Sequence, residues 1–129
     1  MTPFNIPAAL LAVMERNALA NAIGLDLGQA PFDHQPLIRF HVPLHDAQWL
    51  LTEYNPDTQT FFGLVYCTEH HEHTLGHVTV ARLAAIRGFA RTPVEYDAEF
   101  RPDRPLSSYC DPDDGYAEEY FRRPAHTRS

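Results

Sequence analysis

Ala47-Gln48-Trp49-Leu50-Leu51-Thr52-Glu53-Tyr54 is followed by Asn55-Pro56-Asp57-Thr58-Gln59 and then by Thr60-Phe61-Phe62-Gly63-Leu64-Val65-Tyr66-Cys67. Two runs of strand length, rich in aromatic and branched residues, flank a segment in which Asn, Pro and Asp each pre-shape a turn. The pattern predicts an antiparallel hairpin, with 47–54 against 60–67. A period of two sets Trp49 and Leu51 opposite Leu50 and Tyr54, and Phe61 and Val65 opposite Phe62 and Leu64. Both sides of the hairpin are therefore apolar. Such a ribbon belongs in the middle of a covered sheet, and the N-terminal helix is the expected cover.

Upstream, Ile6, Leu10, Leu11, Val13 and Met14 recur at near-helical spacing, and Leu19 and Ile23 extend the stripe. One or two helices are predicted over about residues 7–23, capped by Asn5 and ended by Gly24 and Gly28. Leu37 to Val42 alternates as a strand. Downstream, residues 68–74 read as a polar loop and 75–78 as a short strand. Thr79 caps a helix from Val80 to Arg87, with Gly88 as its stop. Residues 93–100 alternate apolar and acidic side chains, as a half-buried strand does. The fold class is α+β: a small antiparallel sheet of four to five strands, with the N-terminal helix and a second short helix packed on it. Residues 1–106 form one domain, and 107–129 an acidic, aromatic-containing extension that need not be ordered.

At 129 residues and 44% hydrophobic content the chain has room for one self-sufficient core. No apolar run approaches the roughly 20 residues that span a bilayer, and the start lacks the features of a signal peptide. A cytoplasmic location with no membrane partner is expected. Cys67 and Cys110 form neither a disulfide framework nor a CxxC pair; Cys67 reads as a packing residue and Cys110, in a polar segment, as exposed. Between Glu95 and Glu119 nine acids face two arginines, a net of −7 that equals the charge of the whole chain. An acidic protein without a basic stripe is not expected to bind nucleic acid directly.

The order Trp49-Leu50-Leu51-Thr52-Glu53-Tyr54-Asn55-Pro56, Phe62-Gly63-Leu64-Val65, Leu75-Gly76, Thr79 to Leu83, Arg87-Gly88 and Pro93-Val94-Glu95 with Asp97, Phe100 and Pro102 resembles a family known only as domain of unknown function 2958. The resemblance covers about residues 6–106, and His77 stands where that family usually carries an aromatic residue. It implies a setting on plasmids, conjugative elements and phages, and no defined activity.

Three groups of residues carry candidate chemistry. His70, His71, His73 and His77, with Glu69 and Glu72, have metal-binding side chains, but their spacing matches no zinc motif, so no metal or other cofactor is expected. Glu53, Arg87, Glu95 and Asp97 fall on matched positions; they read either as a carboxylate and anion-clamp site or as an Arg–carboxylate bridge between helix and sheet, and the bridge is favoured. Asp111, Asp113, Asp114, Glu118 and Glu119 interleave with Tyr109, Tyr116, Tyr120 and Phe121; they read either as a docking surface for a basic protein or as a solubilising tail, and the tail is favoured. No nucleophile motif or phosphate loop accompanies these groups, so no catalytic residue is assigned. The leading expectation is an accessory protein of a mobile element that binds a protein partner, one with a basic nucleic-acid-binding surface, as an inhibitor of the anti-CRISPR or anti-restriction type. The alternatives are a small enzyme using the carboxylate/Arg group or a His-bound metal, and a homo-oligomer.

Overall fold

The computed structural model describes residues 4–43, 47–67, 72–88, 91–110 and 120–121, with the backbone alone for residues 66, 67, 72 and 73. The quoted hairpin is its centre. Strands β2 (Gln48–Asn55) and β3 (Thr60–Cys67) pair antiparallel, and β3 pairs in turn with β4 (Glu72–Thr79). On the other side β2 meets β1 (Ile38–His41), which meets β5 (Glu95–Tyr96), giving the order β4-β3-β2-β1-β5. The short strand predicted at 75–78 is thus eight residues long and begins inside the predicted polar loop. The ladder explains the gain: β3 offers a partner to every residue from Glu72 onward. The strand predicted at 93–100 shrinks to two residues. Asp97 breaks it by turning the chain, its Oδ1 accepting from the Glu99 amide at 3.0 Å.

The β2–β3 ladder slips once. Leu51 faces Gly63 and Glu53 faces Phe62, so Thr52 is an extra residue in β2. Its buried hydroxyl donates to the Phe62 carbonyl at 3.4 Å. The bulge corrects the simple alternation. Tyr54 joins Trp49 and Leu51 in one core rather than opposing them, and Leu50 packs in the other. Gly63 lies where the two strands come closest: a Cβ there would stand 2.7 Å from the Leu51 Cα and closer still to the Leu50 carbonyl oxygen.

Helix α1 (Ala8–Asp26) and helix α2 (Val80–Ala85) cover one face of the sheet. Pro7, not Asn5, takes the cap position of α1. The helix runs through Gly24 and ends in a Schellman motif: Gly28 adopts φ 72°, its amide donates to the Leu25 carbonyl, and the Gln29 amide donates to the Gly24 carbonyl. Thr79 caps α2 as predicted, accepting from the Arg82 amide at 3.0 Å.

The first half of α1 buries Met14, with Leu10 and Leu11 beside it. The second half inverts: Leu19 is 61% exposed and Ile23 51% exposed, although the apolar stripe predicted both to face the fold. The cause lies in β2. The last β1 pairing is Ile38 with Leu51, and the Leu37 amide closes that ladder on the Leu51 carbonyl. Past it, β2 offers α1 polar groups rather than apolar side chains. Asn17 Nδ2 donates to the Thr52 carbonyl at 3.0 Å and Asn21 Nδ2 donates to Glu53 at 2.9 Å. The asparagines on the inner flank satisfy that edge, and Leu19 and Ile23 turn outward.

The other face is closed from the C-terminal side. A 3-10 turn (Leu106–Tyr109) sets Leu106 and Cys110 against Leu50, Phe62, Leu64 and Leu75, with Phe100, Tyr109, Tyr120 and Phe121 around them. Cys110 is buried, not exposed as its polar neighbours suggested. The turn is tied to the segment before β1: Asp33 accepts from both the amide and the hydroxyl of Ser107, and the His34 carbonyl accepts from the Leu106 amide at 2.9 Å. The hairpin is therefore covered on both faces within one chain, by helices on one side and by this late segment on the other.

Candidate functional site

The bulge at Thr52 delivers Glu53 to the same side of the sheet as Phe62. Across β3 and β4 the register then runs Glu53, Phe62, His77, a row of three side chains on adjacent strands. The Phe62 ring stacks on Tyr120 at 5.7 Å with an angle of 20°, and the His77 ring lies 5.0 Å from it, tilted by 58°. His77 thus occupies the aromatic position by ring contact. The inner flank of α1 forms the opposite wall through Ala18, Asn21, Ala22 and Leu25, and the β2–β3 turn adds Asn55, Thr58 and Thr60. Together they enclose an open cleft of about 420 Å³, within the size range of small-ligand sites.

Glu53 is the charged anchor of this cleft. Burial pushes its pKa above the usual carboxylate value, and the Asn21 hydrogen bond pulls the other way. Among the described residues Asn21 is its one hydrogen-bond partner, through Oε2. Among the described residues no arginine lines the cleft. A half-buried carboxylate beside aromatic rings and neutral amides and hydroxyls can accept hydrogen bonds from a donor-rich or cationic group. Sequence reasoning found Glu53 and His77 as separate candidates. It placed Tyr120 with the acidic tail, and it missed the common cleft and the part of Asn21 and Phe62 in it, because the bulge that aligns them leaves no periodic trace.

The group Glu53, Arg87, Glu95 and Asp97 is not assembled. Asp97 pairs with Arg39 at 2.9 Å, and Glu95 faces His41 at 3.9 Å, both where β5 meets the Phe40–His41 end of β1. Arg87 donates to the carbonyls of Ala84 and Ile86, closing the end of α2 rather than bridging to a carboxylate. The bridge favoured for Arg87 is made instead by Arg39, which also donates to Gln48 at 2.8 Å. Glu53 stands apart, past the opposite end of the β1 ladder.

His70, His71, Asp111, Asp113, Asp114, Tyr116, Glu118 and Glu119 lie outside the described residues, as does the side chain of His73. Among the described residues no three His, Cys, Asp or Glu side chains come together as a metal site. No helix among them is long and apolar enough to cross a membrane.

A second surface adjoins the cleft. Leu19, Ile23 and Leu27, spaced four residues apart along α1 and its C-cap, are each more than half exposed, as are Leu25 in the cleft wall and Phe32, whose amide donates to Asn21.

These features define an α+β domain with a doubly covered antiparallel sheet and a carboxylate-anchored cleft beside its long helix. The chain belongs to the family described as "Protein of unknown function (DUF2958)", whose model matches residues 6–116. No curated protein and no solved structure matches it.

Proposed function

We propose that this chain is a protein-binding accessory module that docks on its partner through the outer flank of α1. The observation that supports this reading is the inversion of that helix. Leu19 and Ile23 sit one turn apart on the side away from the sheet, while Asn17 and Asn21 occupy the side toward it. Leu27, one turn further along, is 68% exposed. A helix that turns amides toward the sheet and exposes apolar side chains at successive turns gives up hydrophobic stabilisation on both flanks, and an exposed apolar stripe suits an interaction site. The partner is a protein with an apolar contact patch set in basic surroundings. Its positive charge complements the net −7 of this chain, which steers encounter and sharpens specificity.

The finer reading is an accessory factor of a mobile element that blocks a host defence or nucleic-acid-processing protein, of the anti-CRISPR or anti-restriction type. It rests on the genomic setting that the family resemblance implies and on the acidic excess between Glu95 and Glu119.

The test compares the native chain with the double variant Leu19→Gln/Ile23→Gln in pull-downs at low and high salt, with captured proteins identified by mass spectrometry. One basic nucleic-acid-binding protein, retained by the native chain, lost with the variant and weakened by salt, is the expected result. Equal capture by both chains refutes the docking surface. Self-association of the native chain in light scattering, abolished by the variant, makes the partner a second copy instead.

A further inference from the structure

We propose that the cleft between α1 and the row Glu53–Phe62–His77 is a guanidinium-binding site, taking the arginine side chain of a peptide or a free guanidino compound. The inference goes beyond the docking surface and does not depend on it.

Charge comes first. Among the described residues the carboxylate of Glu53 is the one acidic group in the lining, and no arginine accompanies it. One of its oxygens accepts from Asn21 at 2.9 Å, and among the described residues no donor reaches the other. A carboxylate taken partly out of water with a single neutral partner is left short of compensation. A cation entering the cleft supplies it and holds the group ionised.

Shape and chemistry then choose among cations. Phe62 and the stacked Tyr120 form an aromatic wall next to the carboxylate. A planar, weakly hydrated guanidinium stacks on such a wall and presents paired donors to a carboxylate, whereas an ammonium is a compact, strongly hydrated point charge that gains little from either. The remaining donors of a guanidinium need acceptors, and Asn55 and Thr60 supply amide and hydroxyl oxygens in the same lining. The volume of about 420 Å³ admits a side chain of arginine length. Among the described residues the titratable groups in the lining are Glu53 on β2, His77 on β4 and Tyr120 from the C-terminal segment. Acidification that protonates Glu53 therefore removes the anchor charge.

The experiment is an NMR titration of the full chain with Nα-acetyl-arginine amide, its uncharged isostere Nα-acetyl-citrulline amide, and Nα-acetyl-lysine amide. The arginine compound is expected to saturate below roughly 1 mM, with shifts at the Asn21 side-chain amide and at the Glu53 and Phe62 backbone amides. Citrulline and lysine are expected at least about tenfold weaker, since each lacks either the charge or the planar fork. Glu53→Gln is expected to abolish the preference for arginine over citrulline. Ala22→Phe, which fills the cleft from the helix side and leaves Glu53 in place, is expected to lose binding while keeping the native spectrum elsewhere. A capped tripeptide with central arginine that binds about tenfold tighter than the single residue assigns the site to peptides, and equal affinity assigns it to a free guanidino compound. Equal affinity for arginine and citrulline, no saturation by about 10 mM, or saturating shifts confined to another surface overturns the proposal.

Discussion

Replacing Gly63 with alanine tests the geometry on which the cleft depends. The added methyl would stand 2.7 Å from the Leu51 Cα and 2.9 Å from the Leu50 carbonyl carbon. Carbon atoms prefer about 3.5–4.0 Å, so β2 and β3 must part by roughly 1 Å at this point. Every atom met is backbone, so no side chain can rotate away. β2 is also held on its far side by β1, with pairings from Ile38–Leu51 to His41–Gln48. Overpacking that side chains can absorb costs about 1–3 kcal/mol. Here strand hydrogen bonds, each about 1 kcal/mol net, are strained in addition, so a loss of at least about 3 kcal/mol is expected. For a chain of this size that is a fall in Tm of roughly 10 °C or more. Gly76 is the internal control. It is the cross-strand partner of Gly63 on β4, yet a Cβ there meets nothing within 4 Å. Gly76→Ala should be neutral or stabilising by up to about 1 kcal/mol, through the unfolded chain. Urea unfolding of both variants, read by tryptophan fluorescence and circular dichroism, gives the comparison. A Gly63→Ala midpoint within about 1 kcal/mol of native, or equal losses for the two variants, would refute the close approach.

Further outcomes follow from the same contacts. Burial raises the Glu53 pKa in the folded state, so its contribution is complete below the ordinary carboxylate range and is lost as pH rises through the raised value; Glu53→Gln should gain stability relative to native between pH 4 and 7, roughly, and a constant difference in urea titrations would contradict it. His34 behaves oppositely: burial holds its pKa below 6.5 despite Asp33, and its buried Nε2 has no partner among the described residues. Stability is then present above pH 6.5 and lost as pH falls through the depressed value, and thermal melts of His34→Phe should show a smaller loss on acidification. Met14→Ala, at a fully buried position, should cost about 2–5 kcal/mol in urea unfolding, whereas Ile23→Gln should cost about 1 kcal/mol or less, and similar costs would deny the inversion of α1. A double-mutant cycle on Arg39 and Asp97, both about one-quarter exposed, should give a coupling near 1 kcal/mol in unfolding free energy, against zero for a solvated pair.

The local signals in the sequence were strong where chemistry is local. Asn55, Pro56 and Asp57 announce their turn, Thr79 announces α2, and the doubly apolar hairpin announces a covered sheet. Three things were not legible. The bulge at Thr52 needs the register of two strands and leaves the apolar count unchanged. The exposure of Leu19 and Ile23 depends on where β1 stops beside β2, some thirty residues later in the chain. The burial of Leu106 and Cys110 depends on Asp33, which reads as an ordinary loop acid until Ser107 meets it. The cleft combines the first two of these, which is why its residues were found singly and not as a site.

The C-terminal segment also bears on how the molecule is made. The meander from β2 to β4 pairs neighbours in sequence and can form as soon as it is synthesised. Its outer face waits for Leu106 and Cys110, and β1 waits for Glu95 and Tyr96, all of which follow the meander in the chain. Until then Phe62, Leu64 and Leu75 are open to water, and the nascent chain presents them to chaperones or to other unfinished chains. A premature stop before codon 106 would leave that state permanent, so shortened products should be found in the insoluble fraction.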